Sequence, residues 1–380
     1  MKTYNGLFEK IVDEKNIQKA ILRASLGKRK KAGVRRTLSH ISEVARDLSN
    51  QLKDGTWKPV DLHQSTEIND GVELKKRYIV CPSFAREQCV HHAIMNICEP
   101  LFRKKFYQYS CGSVKGHGGD QAKKYVEKIT KKYPAKTKYV AKLDIRKFFA
   151  NAKPSFIFRE IRRTIRDKRV LSLFAQILRA NKQVVNGEVV KGGIPIGFYT
   201  SPIFANILLN ALDHYVKEQL GIEFYVRYMD DMLLFSPNRR KLKKACKAIE
   251  SYINNLKMDL KPVWQVHKFV SVNFIGYQFK RGGLVRLRDR IFLKSIRLVR
   301  RAAAKVRLTV HDCLRVLSYM GRFKNAHTYA AFKQRISPYI NIRELRKRVS
   351  RHYKKLAKLE KERIKNGIQA SREPCLSCCC

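Results

Sequence analysis

Two adjacent carboxylates, Asp230 and Asp231, stand between two apolar runs in Phe224-Tyr-Val-Arg-Tyr-Met-Asp-Asp-Met-Leu-Leu-Phe235. Tyr225, Val226, Tyr228, Met232, Leu233, Leu234 and Phe235 favour extended backbone. Arms this short predict a hairpin with the Asp pair at its turn. Two anions at the tip of a buried hairpin are costly unless a cation joins them, and a divalent metal ion is the natural one. Taken alone, the pair also fits a plain solvated turn. A third carboxylate, Asp144, ends the β-rich run Lys138-Tyr-Val-Ala-Lys-Leu-Asp144 and precedes Phe148 and Phe149. An Asp there suits a metal ligand or caps the next helix. Carboxylates on strand-like elements are what two-metal phosphoryl transfer needs. One ion activates an attacking hydroxyl, and a second, about 4 Å away, steadies the leaving group.

The elements around these carboxylates carry the cations and glycines that such chemistry uses. Leu74 to Pro82 reads as a short strand with Lys75, Lys76 and Arg77 at its start, stopped by the proline. Phe84 to Phe106 reads as a helix with Val90, Ile94, Ile97, Cys98 and Leu101 as its apolar stripe. It also carries Arg86 and the neighbours His91 and His92, read as structural or as RNA contacts. The loop Tyr109 to Gly119 is glycine-rich and basic, without the spacing of a nucleotide P-loop. It could still bring backbone amides to a phosphate or a template strand. Residues 155–181 read as helical, and Val184 to Val190, around Asn186-Gly187, as a tight hairpin. Gly192 to Pro202 is a Gly/Pro loop leading into a helix capped by Ser201, with Pro202 in its first turn.

After the carboxylate hairpin, residues 239–256 form a basic amphipathic helix and Lys261-Pro262 begins an extended stretch. Val272 to Phe279 alternates like one strand, with Gly276 where another backbone can approach. From Leu293 to about Glu362 the pattern is helical. Its last helix carries Arg343, Arg346, Lys347, Arg348, Arg351, Lys354, Lys355 and Lys358, a stripe that a duplex backbone would neutralise. Residues 1–60 also read as helices, interrupted by the basic loop Gly27 to Gly33, a solvated linker or a phosphate contact.

A chain of 380 residues forms two or three subdomains. Its 81 Lys+Arg against 31 Asp+Glu leave a formal charge of +50, which opposes a compact state unless a polyanion binds. Nucleic acid is the obvious one. An anionic membrane fits less well, because the cations are spread along the whole chain. No run approaches a membrane span, and the N-terminus shows no apolar signal segment. Cys81, Cys89, Cys98, Cys111, Cys246 and Cys313 are scattered through apolar segments, as reduced thiols of a cytoplasmic protein would be. The tail Cys375-Leu-Ser-Cys378-Cys379-Cys380 has no partner pair nearby to complete a zinc site and is expected to be disordered.

Taken together, these motifs resemble a reverse transcriptase, over about residues 70–280 and in family order. Tyr228-Met229-Asp230-Asp231 looks like its catalytic tetrapeptide, and Leu143-Asp144-Ile-Arg-Lys-Phe148-Phe149 like the motif of the first aspartate. Ile194-Pro-Ile196-Gly197 to Ser201-Pro202 looks like the template and nucleotide loop. Phe274-Ile-Gly276 looks like the primer grip, and Lys261 like the lysine of the motif before it. The resemblance implies an α+β right-hand polymerase with fingers, an antiparallel palm and a helical thumb. Its parts would be an N-terminal helical extension (1–70), fingers (71–137), palm with fingers insertions (138–280), basic thumb (281–365) and cysteine tail (366–380).

The resemblance implies two Mg²⁺ ions, with Mn²⁺ as substitute, held by Asp144, Asp230, Asp231 and the Ile145 carbonyl. Lys75, Arg77 and Lys261 would meet the triphosphate, with Phe149 as the wall that favours dNTPs and Ile196 and Gly197 lining the nucleotide site. Tyr228, Met229, Phe274, Gly276, Arg343, Arg346 and Lys347 would hold primer and template. Ile196 stands where many relatives carry glutamine, as in enzymes of diversity-generating retroelements, whereas Ser201-Pro202 departs from that type. Bacterial group II intron-like and antiphage-defence polymerases are the other candidates. Implied partners are an RNA template, an RNA/DNA primer duplex, dNTPs, a cognate structured RNA, and an accessory protein or a second copy. The location would be the cytoplasm of a bacterium, the gene bacterial or phage-borne. No ribonuclease H, protease, integrase or His-Asn-His endonuclease segment is evident. The other reading, from a different class, is a catalytically idle, maturase-like RNA-binding protein that kept the fold.

Overall fold

The computed structural model describes residues 2–69, 76–114, 116–180, 182–185, 187–190, 192–324 and 326–365. The chain is α+β and forms two compact units, Met1–Tyr125 with Ala135–Phe269, and Val126–Pro134 with Val270–Cys380.

The first unit opens on four helices: α1 (Phe8–Val12), α2 (Glu14–Ala24), α3 (Ala32–Ser39) and α4 (Ile41–Lys53). Asp13 caps α2 through the Asn16 amide, and Ile17, Ala20, Ile21 and Ala24 form its buried stripe. Strands β1 (Leu62–Asn69) and β2 (Lys76–Val80) follow, then α5 (Cys89–Arg103), which packs against α2. Helix α6 (Gly119–Lys132), assigned to the second unit from Val126 on, precedes β3 (Tyr139–Asp144), the short α7 (Phe148–Asn151), α8 (Pro154–Arg162) and α9 (Lys168–Arg179). Strands β4 (Lys182–Val185) and β5 (Glu188–Val190) precede α10 (Ser201–His214), β6 (Phe224–Tyr228), β7 (Asp231–Ser236), α11 (Arg239–Asn255) and β8 (Val266–Lys268).

Two sheets result. One has the order β2-β1-β4-β5, parallel only between β1 and β4. The other is antiparallel throughout, in the order β6-β7-β3-β8. The apolar residues of β3, β6 and β7 are buried on both faces, Tyr225, Val226, Met232, Leu233, Leu234, Val140, Ala141 and Leu143 all at 0% exposure, whereas β8 exposes His267 and Lys268. Helix α11 covers one side of β3 and β7, using Leu242, Ala245, Cys246, Ile249 and Ile253.

The second unit has a three-stranded sheet, β9 (Ser271–Phe274), β10 (Tyr277–Lys280) and β11 (Val285–Leu287), in the order β11-β10-β9. Helices α12 (Asp289–Ala303), α13 (Val310–Lys324), α14 (Tyr329–Arg335) and α15 (Ile342–Lys365) follow. Among the described residues, no helix is long and apolar enough to cross a membrane.

Several expected elements are redrawn. The single helix over 155–181 is two helices, because the Asp167 carboxylate caps α9 at Arg169 and Val170 and also accepts from the Leu7 and Phe8 amides. The helix expected from Phe84 to Phe106 begins as a π-turn, Phe84–Gln88, and ends at Arg103. Ser201 is not the cap of α10. Thr200 holds that position without a side-chain bond, and Ser201 Oγ donates instead to the Pro195 carbonyl, 2.6 Å away. The strand expected over Val272–Phe279 is the hairpin β9–β10. Ile275 and Gly276 both take positive φ (45° and 87°), as a two-residue hairpin turn requires. The hairpin expected at 184–190 is present as β4–β5. Leu74, Lys75, Asn186 and the cysteine tail lie outside the described residues.

Candidate active site

The carboxylate hairpin is where the sequence places it. Tyr228 pairs with Asp231 across β6 and β7, and Met229 and Asp230 form the two-residue turn. Met229 holds φ 56°, the left-handed region that a side-chain-bearing residue adopts only under constraint. Asp144 ends β3, and its register partner is Asp231 on the neighbouring strand. The cap of α7 is Lys147, so Asp144 does not serve as a helix cap. The Ile145 amide donates to the Asp230 carbonyl at 3.3 Å, which ties the turn to the end of β3. The three carboxylates therefore share one end of one sheet.

Their electrostatics are those of a site short of positive charge on one side. Burial pushes the Asp231 carboxyl up to about 7; Lys142 opposes this, and Asp144 and Asp230 add to it. Burial, then the charge of Asp144, raises Asp230 above the ordinary carboxylate value, against the pull of Lys261 and Arg77. Lys261 Nζ meets Asp144 Oδ2 at 2.6 Å, and Lys142 Nζ meets Asp231 Oδ2 at 3.1 Å. The other oxygen of each carboxylate, Asp144 Oδ1 and Asp231 Oδ1, is buried without a hydrogen-bond partner. A buried anionic oxygen left that way is costly unless a cation meets it. Hard, anionic oxygen donors of this kind fit Mg²⁺ or Mn²⁺. Among the described residues, no three His, Cys, Asp or Glu are already drawn together around one point; the two lysines neutralise two of the three carboxylates instead.

The flanking loop is held from two sides. The Val80 amide donates to the Ile196 carbonyl at 2.8 Å, which joins the loop to the end of β2. A Cβ on Gly197, φ 119°, would overlap the Val80 carbonyl oxygen, so only glycine lets the chains approach this closely. The Ile194 amide reaches the Phe149 carbonyl at 2.6 Å. Phe149 is half-buried, whereas Phe148 is core at 2% exposure. Ile196 is half-buried and Gly197 exposed.

The structure brings Asp144, Ile145, Asp230, Asp231, Tyr228, Met229 and Lys261 together, with Arg77 near enough for its charge to act on Asp230. Phe149 meets Ile194, and Ile196 meets Val80. Phe274, buried at 1%, and Gly276 belong to the second unit, as do Arg343, Arg346 and Lys347, all three exposed on α15. Lys75 lies outside the described residues. Lys142 escaped the sequence reading, although alternation along β3 puts it on the same strand face as Asp144. Arg227 and Asp213 also escaped it. Both are at 0% exposure and paired at 2.6 Å, and a lone arginine inside the apolar run Phe-Tyr-Val-Arg-Tyr was the available signal.

Comparison with known proteins meets this geometry. Protein YkfC of Escherichia coli (strain K12) is 25% identical over 191 residues, 49% of this chain and 49% of that protein. A putative COX1/OXI3 intron 1 protein of Saccharomyces cerevisiae is 24% identical over 139 residues, 36% of this chain and 16% of that protein. The chain thus spans about half the length of the first and less than a fifth of the second. Among solved structures it is similar to the apo telomerase from Candida tropicalis, with a TM-score of 0.49 and 12% identity over 79% of this chain and 64% of that one. Residues 28–279, about two-thirds of the chain, match the family described as "Reverse transcriptase (RNA-dependent DNA polymerase)". That span holds Asp144, Asp230 and Asp231 together with the loop and strands that position them, and the chain belongs to the reverse transcriptase family.

Proposed function

We propose that the chain is an RNA-directed DNA polymerase whose centre is Asp144, Asp230 and Asp231. The observation that carries this reading is the pairing of Asp144 opposite Asp231, each with one buried, unpartnered oxygen, at the end of a sheet that also presents Asp230. These carboxylates, with the Ile145 carbonyl, would hold two Mg²⁺ ions, for which Mn²⁺ can substitute. Such ions lower the pKa of the attacking 3′-hydroxyl and stabilise the leaving pyrophosphate.

The chain's own residues do the rest. Arg77, with Lys75 two residues before it, and Lys261 present cations to the triphosphate. Lys261 must leave Asp144 Oδ2 to do so, and its half-exposed side chain has room to swing. Phe149 sets an apolar ring where a ribose 2′-hydroxyl would go unpaired, which favours dNTPs. Ile196 and Gly197 line the nucleotide and template side. Tyr228 and Met229 of the first unit are proposed primer contacts; in the second unit the Phe274-Ile-Gly276 turn, supported by the buried Phe274, is proposed as the primer grip, and Arg343, Arg346 and Lys347 as contacts to duplex phosphates. In this reading residues 71–137 are fingers, 138–280 palm and 281–365 thumb. Its partners in this reading are an RNA template, an RNA/DNA primer duplex, dNTPs and a cognate structured RNA, within a retroelement or a defence system of a bacterium.

Primer extension on an RNA template with dNTPs or NTPs and Mg²⁺ tests this, with Asp230→Asn beside the parent. Extension with dNTPs by the parent alone is expected. A second reading, an idle RNA-binding protein, draws on the lysines that neutralise Asp144 and Asp231. RNA binding by the parent without any extension would replace the polymerase with it.

A further inference from the structure

Beneath the catalytic turn lies a buried polar cluster for which the reaction as described has no use. Arg227, on β6, is fully buried. Its Nε and Nη2 donate to Asp213 Oδ1 and Oδ2 on α10, at 2.8 and 2.6 Å. Its Nη2 also donates to Ser110 Oγ at 2.7 Å. Its Nη1 donates to Asn206 Oδ1 at 3.1 Å and to the Met229 carbonyl at 2.9 Å. A guanidinium has five N–H donors, and all five are used. Asp213 is completed by the Tyr225 hydroxyl at 2.7 Å.

The bond to Met229 is the informative one. That carbonyl belongs to the peptide joining Met229 to Asp230, so its direction fixes the plane from which Asp230 departs. The strained φ of Met229 needs such outside constraint. A second tether acts from the same side. Asn206 Nδ2 donates to the Gly112 carbonyl at 2.7 Å, and a Cβ on Gly112 would lie 2.6 Å from the Met229 nitrogen. The Cys111 amide adds a bond to the Arg227 carbonyl at 2.8 Å. Helix α10 and the loop at 109–112 thus grip the turn through Arg227 and Asn206.

We propose that Arg227, clasped by Asp213, is a positioning residue that sets the conformation of the Met229–Asp230 turn and through it the affinity of the carboxylate centre for divalent metal ions. The inference rests on the assignment of Asp144, Asp230 and Asp231 as that centre. Its claim is specific: the buried pair sets geometry at the metal-binding turn beyond what it adds to stability. Apolar residues of similar volume can replace the two charges themselves at little cost, but they cannot hold the Met229 carbonyl.

The test is the double variant R227M/D213L, measured beside the parent in three ways: thermal unfolding, Mn²⁺ binding by electron paramagnetic resonance without template, and single-nucleotide primer extension. The expected result is a single cooperative melt, lowered because the Tyr225, Ser110 and Asn206 side chains lose partners but still above the assay temperature, and Mn²⁺ binding weakened by about tenfold or more, the usual scale for lost outer-shell support. The maximal extension rate falls, the KM for dNTP moves little, and high Mn²⁺ restores part of the rate. A stable double variant with the parent's Mn²⁺ affinity and rate overturns the proposal. Should that variant fail to fold, Gly112→Ala decides. It leaves the ion pair intact and displaces Met229, so it must weaken Mn²⁺ binding, and unchanged binding overturns the proposal. A parent that neither binds Mn²⁺ nor extends a primer overturns the polymerase assignment instead, which separates the two failures.

Discussion

The sheet β6-β7-β3-β8 supports two clusters of charge that follow opposite rules. Around Arg227 and Asp213 every guanidinium donor has an acceptor and nothing reaches solvent. Around Asp144, Asp230 and Asp231 two buried oxygens have no partner, and the facing lysines remain partly in water, Lys261 at 49% and Lys142 at 36% side-chain exposure. Both clusters carry the cost of removing charge from water. The first meets that cost from within the chain and is finished on folding. The second keeps two buried oxygens without a partner, the opening that a cation would fill on the proposed reading. In that reading the closed cluster is structural and the open one, where the unpartnered atoms are anionic oxygens, is the binding one.

The largest test of that contrast is Asp144→Asn. It should lower primer extension by at least roughly 10⁴-fold, about 5 kcal/mol of barrier, while the melting temperature stays close to the parent's, since Asn keeps the shape and the Lys261 pair that is lost lies half in water. A stability loss without a rate loss would erase the contrast. Next is Arg227→Met alone, which leaves Asp213 buried and unpaired and should cost about 3–5 kcal/mol in urea unfolding. A neutral effect would show that the first cluster is not closed.

A third cluster extends the comparison to pH. Burial holds His91 at about 4, with Glu87 opposing and His92 and His63 reinforcing, and its Nδ1 lies 3.4 Å from Thr200 Oγ1. The folded value lies below the ordinary one. The stability gained from a neutral ring is therefore complete above about pH 6.5 and is lost as pH falls towards 4, a change of roughly 2–3 kcal/mol. His91→Phe should flatten the fall in urea midpoint between pH 7 and 4.5, and an unchanged slope would count against it. The smallest effect is Ile196→Gln, expected to lower misincorporation by about five- to tenfold through one restored hydrogen bond, about 1 kcal/mol. Sequencing the extended products reads it, and an unchanged error spectrum refutes it.

The open cluster was far more legible in the sequence than the closed one. Asp230-Asp231 between apolar runs, and Asp144 at the end of another, show their strands by composition, and the structure brings the three to one sheet end. The closed cluster joins Ser110, Asn206, Asp213 and Arg227, which are distant in sequence, and no local pattern links a helix Asp to a strand Arg. The same limit applies to Lys142 and Lys261, whose partners depend on register. The break inside 155–181 was missed because apolar periodicity runs on while the Asp167 carboxylate captures the amides of a new helix start. The β9–β10 hairpin was missed because alternation persists across a two-residue turn, and only the pair Ile275-Gly276 carries the signal.

Strand β3 has a consequence for how the protein is made. Among the described residues it pairs with β7 and β8 and with no earlier strand. Both partners leave the ribosome after it. At about 5–20 residues per second, the apolar run Val140-Ala-Lys-Leu143 waits roughly 5–20 s for β7, and longer for β8, with both edges open. An open apolar edge invites pairing with other chains, so this stretch is a natural client for a chaperone during synthesis. Slowing translation between residues 144 and 236 should lower the soluble yield more than slowing it after residue 268. The carboxylate centre is among the last parts of its unit to close.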